Sequence, residues 1–241
     1  MNVLILAGGK GTRFREETAL KPKPMIEING IPMVIHIIDH YIFHGLKNFT
    51  ILAGTKIEYI LKYFEKNFKK NGENKFYYKD SNILILDTGK ETMTGGRIKH
   101  AVEYLDLEEF MLAYGDGLSD VDINDQINFY RKNNYSAILT AGKPPARFGR
   151  LKIKGNDVIE FGEKNIDDEN WINIGYFIMN KSILPLLKDK NTVLEKEPLE
   201  QLAKEGKLGS YFHNGFWQPV DTIREKEIIE EKLKNRKLDW Q

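Results

Sequence analysis

The residues best suited to chemistry begin with Gly8-Gly9-Lys10-Gly11-Thr12-Arg13, directly behind the apolar run Val3-Leu4-Ile5-Leu6-Ala7; Lys21-Pro22-Lys23-Pro24-Met25 follows. The glycines let the backbone turn tightly and bring its N–H groups close to a phosphate. Arg13 and Lys23 add the positive charge that a triphosphate needs. Phe14 stands where the third glycine of a dinucleotide fingerprint belongs, and no G-K-[ST] follows at Walker A spacing. A glycine-rich turn alone is as well explained by a tight bend. Joined to G-T-R and P-K-P-M, it marks a nucleotide site.

Further candidates stand where apolar runs end. Asp116, in Tyr114-Gly115-Asp116-Gly117, closes Phe110-Met111-Leu112-Ala113. Ligands of open α/β sheets bind beyond the carboxyl ends of strands, so a carboxylate there can hold Mg²⁺; a plain turn aspartate is the competing reading. Asp221, ahead of a charged helical stretch, is a second acidic candidate, with the N-cap of that helix as its ordinary explanation. Glu163-Lys164 on its own reads as a solvated surface pair. Asn173 and Gly175 interrupt an apolar run, where an asparagine needs a hydrogen-bond partner and a glycine marks close approach. Gly95-Gly96-Arg97 offers backbone amides and a guanidinium, or simply starts a helix. His36, His40 and His44 would share one helical face, but no carboxylate joins them, so partly exposed helix residues or subunit contacts are expected rather than a metal site.

The elements that must position these residues alternate in the first half. Strands are expected near 49–53, 83–86, 110–114 and 136–141, with helices over 33–43, 57–68, after Gly95-Gly96 and over 123–131. This βαβ rhythm calls for a parallel sheet with helices on both faces. Beyond Pro144, strands at 151–153, 158–161 and 172–179 are joined by short turns, and helices at 183–187, 197–204 and 222–237 follow. Length favours one α/β domain over residues 1–241, more antiparallel in its second half; 36 Lys+Arg against 35 Asp+Glu leave no nucleic-acid footprint. Zero cysteines rule out disulfides, and no apolar run is long enough for a membrane span, so a cytoplasmic protein is expected.

Taken together these stretches resemble the sugar-1-phosphate nucleotidyltransferases over nearly the whole chain. The resemblance rests on L-A-G-G-x-G-T-R, K-P-K-P-M, D-T-G-x-x-T-M-T-G-G-R at 87–97, Y-G-D-G, P-P-x-R-F-G at 144–149, Glu163-Lys164 and G-F-W-Q-P-x-D-T at 215–222. T-M-T-G-G-R and F-W-Q-P-x-D-T point to a cytidylyl branch. The implied fold is α/β, Rossmann-like and mostly parallel with helices on both faces, residues 1–143 mainly binding nucleotide and 144–241 mainly sugar phosphate. The implied reaction moves a cytidylyl group from CTP to a sugar 1-phosphate, glucose 1-phosphate first, and feeds cell-surface polysaccharide synthesis. The resemblance assigns the nucleotide to Leu6, Ala7, Gly8, Gly9, Gly11, Thr12, Arg13, Lys23, Gly96, Arg97 and Asp116, with Arg13 and Lys23 catalytic. It gives the sugar phosphate to Glu163, Lys164, Asn173 and Gly175, and Mg²⁺ to Asp116 and Asp221. It also leaves room for a homo-oligomer.

Asn165, Ile174 and Arg150 depart from the family pattern, and the stretch 69–82 is short for it; Ile174 is expected to narrow the acceptor pocket. Another sugar phosphate or a phosphorylated polyol is therefore an alternative acceptor, and guanylyl, uridylyl or thymidylyl transfer an alternative donor chemistry. A catalytically silent nucleotide-binding regulator is the rival from another class. Such a protein would be expected to lose a metal carboxylate or the signature lysine, whereas Asp116, Asp221 and Lys23 are all present.

Overall fold

The computed structural model describes residues 1–9, 21–144, 150–154, 157–162 and 171–235. Its first part runs β1 (Asn2–Leu6), a 3₁₀ turn (Lys23–Met25), β2 (Glu27–Ile28), β3 (Ile31–Pro32), α1 (Met33–Phe43), β4 (Asn48–Ala53), α2 (Ile57–Asn67), β5 (Lys69–Lys70), β6 (Lys75–Tyr78) and β7 (Ser81–Asp87). Then come α3 (Thr94–Leu105), β8 (Glu109–Tyr114), β9 (Gly117–Ser119), α4 (Ile123–Lys132) and β10 (Ala137–Gly142). The rest comprises β11 (Arg150–Lys154), β12 (Asp157–Gly162), β13 (Ile172–Asn180), a second 3₁₀ segment (Lys181–Leu186), α5 (Glu197–Lys204), β14 (Leu208–His213), β15 (Trp217–Pro219) and α6 (Ile223–Asn235).

Nine strands form one sheet in the order β14-β10-β13-β8-β1-β4-β7-β6-β5. β8, β1, β4 and β7 are parallel, so their carboxyl ends share one edge. β13 runs antiparallel between β8 and β10, and β14 pairs parallel to β10. The continuous apolar run of β1 follows from burial on both faces. Val3 and Ile5 join Met33, Ile37, Tyr41, Phe64 and Ile229 on one side, while Leu4 joins Ile98, Phe110, Phe177 and Leu202 on the other. Each of these large side chains contributes about 1.5–3 kcal/mol by leaving water.

The expected helix at 183–187 is a 3₁₀ segment instead, because Pro185 inside it cannot donate a helical hydrogen bond. β14 and the three-residue strands β9 and β15 carry no alternating pattern and were not anticipated. Among the described residues no helix is long and apolar enough to cross a membrane.

Candidate active site

Lys23, Asp116 and Asp221 come together where β1 and β8 end. Lys23 Nζ donates to Asp116 Oδ2 at 2.9 Å across 93 residues of chain, and to Asp221 Oδ1 at 2.5 Å across 198. The lysine side chain is 12% exposed, Asp221 20% and Asp116 44%, so the cluster opens towards solvent on the Asp116 side. Burial alone would lower the Lys23 pKa, but the two carboxylates more than offset it and hold the ammonium above its ordinary value.

Three local devices produce this convergence. Pro22 leads into the 3₁₀ turn of Lys23, whose carbonyl accepts from Ile26 N at 3.0 Å. Gly115 lets that turn approach: a Cβ there would stand 2.3 Å from Leu6 O and 2.8 Å from Pro24 Cγ. β9 and β15 then pair antiparallel, Gly117 opposite Pro219, and Val220 N donates to Asp116 O at 2.9 Å, which carries Asp221 to its partner.

The side chain that caps α6 is that of Thr222, whose Oγ1 accepts from Glu225 N at 3.2 Å, while Glu225 Oε2 reaches back to accept from Asp221 N at 2.8 Å. The Asp221 carboxylate is thereby directed to Lys23.

The other end of the same ribbon is tied by a different knot. Asp120 Oδ1 accepts from Phe216 N at 2.5 Å, Ser119 Oγ donates to Phe216 O at 2.8 Å, and His213 Nε2 lies 3.1 Å from both Phe216 O and Asp120 Oδ1. Ser119 Oγ is 3.3 Å from that same nitrogen. A nucleophilic triad needs its acid and its hydroxyl on opposite ring nitrogens, so this Ser-His-Asp grouping fastens a turn instead.

The nucleotide-side candidates surround the carboxyl ends of β1, β4 and β7. Gly8 is buried and Gly9 exposed with open space around it. Arg97, 3% exposed, lies beneath this turn: Nη2 donates to Gly8 O at 3.0 Å, and Nη1 to Ala53 O at 3.0 Å and Thr88 Oγ1 at 2.6 Å. A Cβ on Gly8 would stand 2.1 Å from the guanidinium carbon, so that glycine makes room for the arginine as well as for the turn. Leu6 and Ala7 belong to this corner, where Ala7 N donates to Leu52 O at 3.1 Å. Gly96 allows α3 to touch the loop at 187–196, since its Cβ would be 2.6 Å from Lys190 Cα. The amides of Gly95 and Gly96 both donate to Thr192 O, at 2.9 and 3.3 Å.

On the acceptor side, Asn173 Nδ2 donates to Tyr114 OH at 3.3 Å, and Asn173 Oδ1 accepts from Gly175 N at 2.9 Å. Gly175 has φ +86° next to a register shift between β10 and β13, and a Cβ there would be 2.7 Å from the Tyr114 ring. Ile174, expected to narrow the acceptor pocket, is instead buried in the core, 3% exposed. Gly11, Thr12, Arg13, Glu163, Lys164 and Asn165 lie outside the described residues, as do the side chains at 150–162.

The histidine face of α1 corrects another expectation. His36 and His40 are 3% and 1% exposed, not partly open. Each donates from Nε2 to a main-chain carbonyl, Ile28 O at 3.1 Å and Val121 O at 2.9 Å. Burial lowers both pKa values, His40 to about 3.

Residues 2–233 match the nucleotidyl transferase family. The chain belongs to that family. Over its whole length it is 42% identical to the glucose-1-phosphate cytidylyltransferase of Salmonella typhimurium, covering 98% of that protein. It is 31% identical to the mannose-1-phosphate guanyltransferase of Yarrowia lipolytica over 91% of this chain and 60% of that one. A solved UDP-glucose pyrophosphorylase with UDP-glucose superimposes with a TM-score of 0.71, covering 98% of this chain and 99% of that one at 16% identity, a likeness of fold. The nucleotidyl transferase assignment makes the chain an enzyme and gives the Lys23–Asp116–Asp221 cluster its chemical context.

Two anchors of this nucleotidyl transferase, Thr88 buried and Tyr114 partly so, carried no advance signal. Tyr114 and Thr88 look like strand-end residues in the sequence, yet both are hydrogen-bonded to candidate site residues.

Proposed function

We propose that the chain transfers a cytidylyl group from CTP to a sugar 1-phosphate, glucose 1-phosphate first among them, releasing pyrophosphate. The observation that carries this reading is the convergence of one oxygen from each of Asp116 and Asp221 on the Lys23 ammonium. Full-length similarity to the Salmonella typhimurium cytidylyltransferase supports CTP as donor and glucose 1-phosphate as acceptor. Residues 1–143 would mainly hold the nucleotide and 144–241 the acceptor, with Asp221 reaching across. CTP and sugar phosphates are metabolites of the cytoplasm, which supports that location.

The carboxylate pair suits Mg²⁺. Both oxygens lie within 3 Å of one cationic atom, 2.9 and 2.5 Å, so they already face one small positive volume. Mg²⁺ is commonly held by one or two carboxylates, with water and substrate phosphates completing its shell. Among the described residues no cluster of three His, Cys, Asp or Glu forms a cage independent of substrate. Bound there, the ion would neutralise triphosphate charge and polarise the α-phosphate.

The residues of the chain then have defined tasks. A phosphate monoester, with a second pKa of about 6, is already a dianion at neutral pH and needs no general base. One of its oxygens bonds to the α-phosphorus of CTP as the bond from that phosphorus to the β-bridging oxygen breaks, and the electron pair leaves with pyrophosphate. Lys23 turns its ammonium to the charge building on the α-phosphate, and Arg13 holds the leaving group. Gly8, Gly9, Gly11 and Thr12 supply backbone donors to the phosphates, and Gly96 and Arg97 support the base and ribose side from beneath, Arg97 through the Gly8 carbonyl. Lys164 anchors the incoming phosphate, Glu163 accepts from a sugar hydroxyl, and Asn173 and Gly175 shape the adjoining wall.

The test is pyrophosphate release with Mg²⁺, crossing CTP, UTP, GTP, ATP and dTTP against sugar 1-phosphates and polyol phosphates. Fastest turnover with CTP and glucose 1-phosphate is expected. Preference for another nucleotide would overturn the donor assignment, and preference for another phosphate the acceptor assignment.

A further inference from the structure

A hydrogen-bonded strap crosses the carboxyl end of the sheet, and its centre is a carboxylate with no place in the chemistry above. Glu195 lies on the loop ahead of α5 and is exposed, yet both of its oxygens are engaged. Oε1 accepts from Tyr114 OH at 2.5 Å, and Oε2 accepts from Thr94 Oγ1 at 2.7 Å.

Donor bookkeeping fixes the direction of every link. Thr94 Oγ1 accepts from Leu194 N at 2.9 Å, so its own proton goes to Glu195. Tyr114 OH accepts from Asn173 Nδ2 at 3.3 Å, so its proton goes to Glu195 as well. Asn173 Oδ1 is occupied by Gly175 N, which leaves its amide only one orientation. Burial, with Glu195 beside it, raises the Tyr114 pKa and keeps the phenol protonated. The ring itself has no freedom to drift, being pressed on the bare Cα of Gly175 and set against Phe177 at 5.6 Å between ring centres. Of the side chains, only a carboxylate offers a separate acceptor oxygen with no proton of its own to each of the two hydroxyls.

We propose that Glu195 is a positioning residue for the acceptor: anchored by Thr94, it holds the Tyr114 hydroxyl and, through it, the orientation of Asn173. The inference rests on the reading of Asn173 as part of the sugar-phosphate wall. Its chemistry is that of preorganisation: an acceptor-facing amide kept in one rotamer loses no freedom when the sugar phosphate binds. Glutamine at 195 would present an NH₂ group to one of the two hydroxyls, leaving that donor without an acceptor. Phenylalanine at 114 would cut the strap at its middle while keeping the ring.

Steady-state kinetics on the full chain separate the outcomes, with CTP saturating and glucose 1-phosphate varied. Glu195→Gln and Tyr114→Phe are each expected to raise the acceptor KM about tenfold with kcat changed less than threefold. The double variant is expected to be no worse than the stronger single one, as members of one network are non-additive. Multiplying effects, or an unchanged acceptor KM in both variants, would overturn the strap. Asn173→Ala is the control on the underlying reading: if it leaves acceptor KM unchanged, the wall assignment fails and the strap with it. If Asn173→Ala raises KM and the other two do not, only the strap fails. Melting temperatures accompany each variant; should Glu195→Gln not fold, Tyr114→Phe decides alone.

Discussion

The two ends of the β9–β15 ribbon differ in what they do with polar side chains. At one end Asp116 and Asp221 hold Lys23 with side chains partly open to solvent, so each partner can be exchanged for a substrate group. At the other, Ser119, Asp120 and His213 share acceptors and donors with the main chain of Phe216, and Ser119 is 0% and His213 9% exposed. A residue bonded to backbone cannot be released without undoing the turn. The contrast separates groups available for chemistry from groups spent on architecture, although both contain a carboxylate and a cationic or titratable partner.

The largest expected effect tests the open end. Asp116→Ala and Asp221→Ala should each lower pyrophosphate release about a thousandfold or more, roughly 4 kcal/mol of barrier, with the fold retained by circular dichroism. Turnover within tenfold of the parent in either variant would remove these carboxylates from the chemistry. Asp120→Ala, at the closed end, should act on stability instead, costing about 2–3 kcal/mol in urea unfolding because the Phe216 amide loses its acceptor. A thousandfold kinetic loss there with an unshifted unfolding midpoint would erase the distinction between the two ends.

A smaller effect concerns the buried helix beneath the ribbon. His40 has a folded pKa of about 3 against 6.5 unfolded, so the unfolded chain takes up the proton first as pH falls. Its contribution is fully present above pH 6.5 and is lost as pH drops towards 3. Between pH 7 and pH 5 the parent protein should lose about 2 kcal/mol more stability than His40→Gln, measured by urea unfolding. Equal losses would mean that His40 can be protonated in place. The smallest expected change is Thr222→Ala, about 1 kcal/mol from a lost cap, and it would sharpen the point that capping falls on Thr222 while the adjacent Asp221 pairs with Lys23.

Most of the sheet was legible because its strands are short apolar runs ending in glycine or aspartate, and β1, β4, β7 and β8 each lie within two residues of expectation. Asp116, Asp221 and Lys23 were legible through the motifs that hold them, Y-G-D-G, F-W-Q-P-x-D-T and K-P-K-P-M, since taken singly the two aspartates read equally well as a turn residue and a helix cap. Their meeting was legible only through the family resemblance, because it depends on β9 and β15, three residues each, whose pairing has no periodic signature. His36 and His40 were misjudged for a related reason: the carbonyls that satisfy them, at Ile28 and Val121, belong to segments elsewhere in the chain. Glu195 was invisible on the same ground, being an ordinary glutamate in a charged stretch until the fold sets it beside Tyr114.

The ribbon also has a consequence for biosynthesis. Asp221 is made 198 residues after Lys23 and is held by the pairing of β15 with a strand completed about a hundred residues before it. A ribosome-bound chain can therefore fold its first strands and gather its glycines without assembling both carboxylates. A nascent or clipped fragment that lacks β15 cannot bring the second carboxylate to Lys23, so the ion cluster is complete only once both strands of the ribbon have been made.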